Sequence, residues 1–166
     1  MLEVRLTAVR VDLQSNTPVV LLEEKDGSGR SLPIFIGASE ATAIAFAIQG
    51  VEVPRPMTHD LLKDVVDALG AKVLRVVVTE VRDATYFAEI HLLQGERRII
   101  ISSRPSDAIA LAARTDAPLY VADDLMAAAG VVIETEEPDA EGEGSEELVG
   151  EFREFLDNVR PEDFSG

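Results

Sequence analysis

VLRVVVTEVRDATYFAEIHLLQGERRIIISSRPSDAIALAAR, residues 73–114, decides the architecture of this chain. Val73 to Arg82 and Tyr86 to Leu93 are dense in β-branched and aromatic residues, which suit an extended, pleated backbone. Asp83-Ala84-Thr85 joins these two strands, and Gly95-Glu96 turns the chain into a third, Arg97 to Ser102. The meander runs directly into Arg104-Pro105-Ser106-Asp107, where proline suits a helix entrance because its missing N–H would be unpaired there anyway. A helix over Pro105 to Arg114 follows. Strands in runs with interspersed helices predict an α+β fold with a mixed, largely antiparallel sheet and helices packed on it.

Working outward, the same alternation governs the N-terminal side. Leu2 to Leu13 reads as a strand whose apolar phase shifts from Leu2, Val4 and Leu6 to Val9, Val11 and Leu13, which predicts a bulge near Ala8. Thr17 to Glu24 and Arg30 to Ile36 flank the turn Asp26-Gly27-Ser28-Gly29. Ser39 is the expected cap of a helix ending at Gly50, apolar nearly all round and therefore expected to be buried. A second helix, Thr58 to Leu69, stops at Gly70. Its stripe of Leu61, Leu62, Val65, Val66 and Leu69 is expected to face the core, opposite Lys63, Asp64 and Asp67. On the C-terminal side, Pro118 to Ala122 reads as a short strand, Asp123 to Ala129 as a helix and Val131 to Glu134 as a last strand.

These elements make one domain over residues 1–133. Residues 134–145 are acidic and hold no large apolar side chain after Glu134, so they read as a solvated, flexible linker. Within residues 146–166, Leu148, Phe152, Phe155, Leu156 and Val159 share one helical face, which predicts a C-terminal amphipathic helix able to dock on its own core or on a partner.

The net charge is −16 and unevenly placed. Residues 134–166 hold 13 acids and 2 bases, whereas residues 1–133 hold 18 acids and 13 bases. Phosphate contacts dominate nucleic-acid affinity, so a nucleic-acid site here must be local, drawn from Arg55, Arg97, Arg98, Arg104 and Arg114. The absence of cysteine excludes disulfides, thiolate chemistry and zinc–cysteine ligation. No apolar run is long enough for a membrane span, and no secretory signal opens the chain, so a cytoplasmic location is expected. A P-loop, an HExxH pair and a GxSxG elbow are all missing.

Three blocks stand in order: Gly37-Ala38-Ser39-Glu40-Ala41 through Gly50, Arg55-Pro56-Met57-Thr58-His59-Asp60-Leu61-Leu62, and Ser103-Arg104-Pro105-Ser106-Asp107-Ala108-Ile109-Ala110-Leu111-Ala112. Together they resemble the bifunctional nuclease family over about residues 1–133. The resemblance implies a BFN domain with DNase and RNase activity, hence DNA and RNA as substrates. One departure stands out: Ser102 and Ser103 occupy the place, shortly before the second Arg-Pro pair, where an acidic residue is expected.

Chemistry assigns roles within those blocks. Each Arg-Pro pair is followed by a hydroxyl residue and an aspartate at a helix start, where free N–H groups and the helix dipole attract an anion. Arg55 and Arg104 are the expected phosphate clamp, with Thr58 and Ser106 beside them, because a guanidinium fork matches phosphate oxygens. Glu40, Asp60 and Asp107 are candidate oxygen ligands for Mg²⁺ or Mn²⁺. His59, in a first helical turn whose dipole favours neutral imidazole, is the candidate to orient or deprotonate water, with Asp60 and Asp107 completing the catalytic set. His91 sits in an alternating strand and reads as structural. The first reading is thus a metal-assisted nuclease of little sequence selectivity. Its rival is a non-enzymatic module that binds a phosphorylated ligand or a protein partner. Long strands with apolar faces in a domain of this size favour a homodimer.

Overall fold

A computed structural model describes residues 1–132. The linker expected over 134–145 and the helix expected over 146–166 lie outside the described residues. Strands β1 (Leu2–Asp12), β2 (Thr17–Glu24) and β3 (Arg30–Phe35) come first, then helices α1 (Ala38–Gln49) and α2 (Thr58–Ala68). The meander β4 (Ala71–Arg82), β5 (Thr85–Gln94) and β6 (Arg97–Ser103) leads into α3 (Pro105–Thr115). The short elements β7 (Leu119–Val121), α4 (Asp123–Ala129) and β8 (Val131–Val132) close the described chain. None of the described helices is long and apolar enough to cross a membrane.

All eight strands form one sheet, ordered β6-β5-β4-β7-β1-β2-β3-β8. Among the described residues only β4 and β7 pair in parallel, because the chain crosses over from β4 through β5, β6 and α3 before returning as β7. The fold is α+β with a mixed, largely antiparallel sheet, in agreement with the pattern of residues 73–114. The phase shift in β1 is a true bulge. Leu6 faces Leu22 and Ala8 faces Leu21, so Thr7 is the extra residue, and its hydroxyl donates to the Leu21 carbonyl at 3.2 Å.

The helix at the centre of the fold is α3. Ala108, Ile109, Ala110, Leu111 and Ala112 are all buried, and five consecutive residues turn through more than a full helical circuit. It packs on β4 and β5 and is flanked by α1 and α2. Its alanines let α1, which offers Ala41, Ala43 and Ile44, come close. Complete burial of Ile109 and Leu111 stabilises the fold by about 1.5–3 kcal/mol each.

Two expectations about the flanking helices are corrected. Helix α1 is not buried all round: Ile48 is exposed, because only one face meets α3. It is also not capped by Ser39; Gly37 is the N-cap, without a side-chain bond, and the helix begins one residue before that serine. Its end at Gly50 is as expected, in the left-handed conformation that glycine favours. Helix α2 buries only His59 and Val66, while Leu61, Leu62, Val65 and Leu69 remain exposed. The apolar stripe is present, but within the described residues most of it points away from the core.

Candidate active site

Three helix starts carry the candidate residues toward one place. Arg104 is the N-cap of α3, Pro105 and Ser106 open it, and Asp107 is its third residue. His59 is the second residue of α2, and Glu40 lies in the first turn of α1. The Glu40 carboxylate folds back over Gly37, into the space a Cβ there would take.

The side chains close into a network centred on Asp107. Arg104 donates from Nε to Asp107 Oδ2 at 2.7 Å and from Nη2 to Oδ1 at 3.0 Å, a two-pronged ion pair. The same Nη2 reaches Glu40 Oε1 at 2.8 Å. His59 Nε2 lies 3.0 Å from Asp107 Oδ1, and its ring is buried. Burial alone raises the Asp107 carboxyl. The bonds from Arg104 and His59, with their charge, outweigh it and hold the carboxyl below the usual aspartate value. Asp107 is therefore ionised at neutral pH and is an acceptor for an N–H at His59 Nε2. In the tautomer that donates from Nε2 to Asp107, Nδ1 is the ring nitrogen with a free lone pair. The two carboxylates in turn raise the Arg104 guanidinium.

Arg104 is the hinge between this network and solvent. Its side chain is 65% exposed, and among the described residues nothing accepts from Nη1, which keeps two N–H donors. Arg104, Pro105 and Ser106 also form one wall of a cleft of about 360 Å³, faced by Phe35, Ile36 and Gly37 and by Thr85 and Tyr86. The cleft rim includes Ala84, which with Asp83 holds positive φ in the β4–β5 turn. Sequence reasoning placed Arg104 and Ser106 here but missed Phe35 and Tyr86. An exposed aromatic at the end of a strand is the signal that could have singled out Phe35.

The other candidates part company with this cluster. Asp60 turns toward α3: Arg114 Nε donates to Oδ1 at 2.5 Å, and the Met57 backbone N–H donates to Oδ2 at 2.9 Å. The Arg114 bond is the main reason its carboxyl is lowered. Arg114 itself is only 8% exposed and also donates to the Ala110 carbonyl, so it is a structural strut and not part of a basic face. Thr58 is exposed at the first position of α2 and lines no part of the cleft. Arg55 is exposed in the loop before α2, and among the described residues it makes no ion pair. Ser102 faces Glu89 across β5 and β6, while the Ser103 hydroxyl is buried without a hydrogen-bond partner among the described residues. His91 pairs with Glu89 at 3.0 Å on β5, remote from the cluster in sequence and bonding.

A cation held by Glu40, Asp60 and Asp107 does not fit this arrangement. Asp60 is occupied by Arg114 and Met57, and an arginine stands between Glu40 and Asp107. Among the described residues, no three or more His, Asp or Glu side chains gather as a metal site.

Residues 20–134 match the model of the bifunctional nuclease domain, and that span contains every residue of the cluster. The chain belongs to the bifunctional nuclease domain family. It is 44% identical over 163 residues to an uncharacterised protein of Mycobacterium tuberculosis, covering 98% of this chain and 97% of that one. It is 35% identical over 105 residues to bifunctional nuclease 2 of Arabidopsis thaliana, and 29% identical over 105 residues to bifunctional nuclease 1 of Oryza sativa subsp. indica. Each plant match takes in 61% of this chain and 32% of the plant protein, so the likeness covers about a third of those chains.

Proposed function

We propose that the protein hydrolyses phosphodiester bonds of DNA and RNA with little sequence selectivity, and that the His59–Asp107–Arg104 cluster is where it does so. Membership of the family supplies the reaction class. The observation that carries the site is the buried His59 held by an ionised Asp107 beside a partly exposed arginine at the start of a helix.

In this reading the scissile phosphate rests against Arg104 Nη1 and the free N–H groups of the first turn of α3. His59 Nδ1 takes a proton from water as the new P–O bond forms, and the leaving oxygen departs on the far side and is protonated from solvent. Asp107 steadies the imidazolium that results, the part a hydrogen-bonded carboxylate plays beside a basic histidine. The adjoining cleft offers Phe35 and Tyr86 to a base. Aromatic contact with base faces tolerates any sequence, which agrees with weak selectivity.

No step is routed through a divalent cation, since the carboxylates already serve arginine and histidine. The test is cleavage of labelled single-stranded DNA and RNA by wild type and Arg104→Lys, purified identically, each with and without EDTA. Arg104→Lys replaces a two-pronged donor by a point charge, and its rate is expected to fall by about tenfold to a hundredfold. Chelation is expected to leave the wild-type rate unchanged. Loss of cleavage in EDTA, restored by Mg²⁺ or Mn²⁺, would return a metal to the reaction and require Arg104 to release Glu40 and Asp107.

A second reading has its own observation. The arginines nearest the cluster are neutralised by carboxylates of the same chain, and residues 1–133 are acidic overall. That favours a module binding a small phosphorylated ligand or a protein partner without catalysis. Absence of cleavage in every arm, with saturable binding of a mononucleotide lost in Arg104→Lys, would select it.

A further inference from the structure

We propose that β6 and the exposed flank of α2 form a self-association surface, and that a second copy of this chain pairs with it, β6 against β6, antiparallel about Ile100. The seam does not depend on the catalytic reading.

The two edges of the sheet differ. At one end lies β8, whose described residues Val131 and Val132 pair with Ser31 and Arg30 of β3. At the other end β6 presents seven residues, Arg97–Ser103, with one side bonded to β5 and the other side open among the described residues. Its register with β5 is unbroken, so no bulge twists the edge away, and it holds no proline. Ile100 is 59% exposed and Ile101 is exposed beside it. An open, apolar edge of this length is a template for another strand. The α2 flank adds Leu61, Leu62, Val65 and Leu69, of which Leu69 is 63% exposed. That flank faces away from the Asp60–Arg114 bond that ties α2 to α3. Gln94, at the end of β5 and opposite Arg97, bonds the Leu69 carbonyl, so both features belong to the same half of the sheet.

Charge selects the occupant. With Ile100 on the two-fold axis, Ile99 meets the partner's Ile101 and Arg98 meets the partner's Ser102. Within one chain Ser102 lies opposite Glu89. Arg98 therefore looks across a small serine onto the partner's Glu89, two strand spacings or roughly 10 Å away between backbones, a gap that arginine and glutamate side chains span together. Antiparallel pairing also puts the Arg97-Arg98 ends of the two copies at opposite ends of the seam, where they do not repel. Arg97 comes to lie opposite the partner's Ser103, next to the partner's Arg104, which adds a cation beside a site whose own arginine is engaged by carboxylates. The chain's own C-terminal segment is a poorer occupant: residues 134–166 hold 13 acids against 2 bases, and the α2 flank is bordered by Asp64 and Asp67.

Sedimentation equilibrium of the full chain, 17.9 kDa per copy, tests this. Wild type is expected to be a dimer at micromolar concentration. Ile100→Lys, which sets two lysines face to face on the axis, is expected to sediment as a folded monomer. Arg98→Glu is expected to raise the dissociation constant roughly tenfold, because the symmetric contact is lost twice. Adding Glu89→Arg to Arg98→Glu is expected to restore it. A monomeric wild type, as would follow if the C-terminal segment covered this face, overturns the proposal. So does a dimer whose affinity neither Arg98→Glu nor the double exchange alters, and this charge pair decides the matter even if Ile100→Lys fails to fold.

Discussion

Arg55-Pro56-Met57-Thr58-His59-Asp60 and Arg104-Pro105-Ser106-Asp107 use nearly the same letters and reach different ends. In both, the aspartate is the third residue of its helix. What differs is where the arginine falls. Arg104 is itself the N-cap of α3, so its side chain folds back onto Asp107 within the same turn. Arg55 stands two residues before the α2 cap, Met57, and cannot reach Asp60 in that way. Asp60 instead takes the Met57 N–H and the buried Arg114. A spacer of two residues therefore separates a carboxylate bound by a cleft-lining arginine from a carboxylate that holds two helices together. Position relative to the cap, more than composition, assigns the role.

The contrast can be broken at several points, and the largest effect is expected at His59. His59→Gln keeps an amide donor for Asp107 but removes the base, and hydrolysis should fall by about a hundredfold to ten-thousandfold in single-turnover assays. Retained activity would mean that water is activated elsewhere.

Arg114→Met should leave turnover per folded molecule intact and lower stability by about 2–3 kcal/mol in urea melts, since Asp60 loses the partner that justifies its partial burial. A rate loss without a stability loss would place Asp60 back in the reaction.

Acid provides a third probe. Both aspartates have carboxyls held below the ordinary value of 3.8, Asp60 chiefly by Arg114 and Asp107 by Arg104 and His59 against the opposing effect of burial. A depressed carboxyl binds fewer protons folded than unfolded. It thus stabilises the fold above the ordinary carboxylate value, and that contribution is lost as pH falls through the lowered one. Chemical melts should show stability declining below about pH 4, with a shallower decline in Asp60→Asn. An equal slope in that variant would contradict the Arg114 assignment.

The smallest effect belongs to Arg55. Arg55→Ala should change stability by less than about 0.5 kcal/mol, as for an exposed side chain outside any network. Its effect on cleavage should be far smaller than that of Arg104→Lys.

Much of the fold was legible in local pattern. The meander, the bulge in β1 and the start of α3 at Pro105 follow from side-chain period, a phase slip and proline's missing donor, all properties of neighbours in sequence. The faces of α1 and α2 were misjudged because periodicity tells which residues share a face, not what that face meets. Leu61 and Leu69 form a stripe whether or not anything covers it, and α3, not α1, proved to be the enclosed helix. The site was legible only in its members. That His59, Asp107, Arg104 and Glu40 come together depends on three helix starts converging, and the bonds that join them span 48 and 64 residues. The pairing of Asp60 with Arg114 spans 54 and left no local trace.

Asp107→Asn and Asp60→Asn, compared side by side in one cleavage assay on a labelled oligonucleotide, test the central claim most directly. Each exchange keeps shape and removes one negative charge at the same helical position. We expect Asp107→Asn to lower kcat/KM by about a hundredfold or more, as removal of a comparable electrostatic stabiliser does, with Asp60→Asn within a few-fold of wild type once corrected for folded fraction. Equal rates in the two variants, or the larger loss in Asp60→Asn, would contradict the assignment of catalysis to the His59–Asp107–Arg104 cluster.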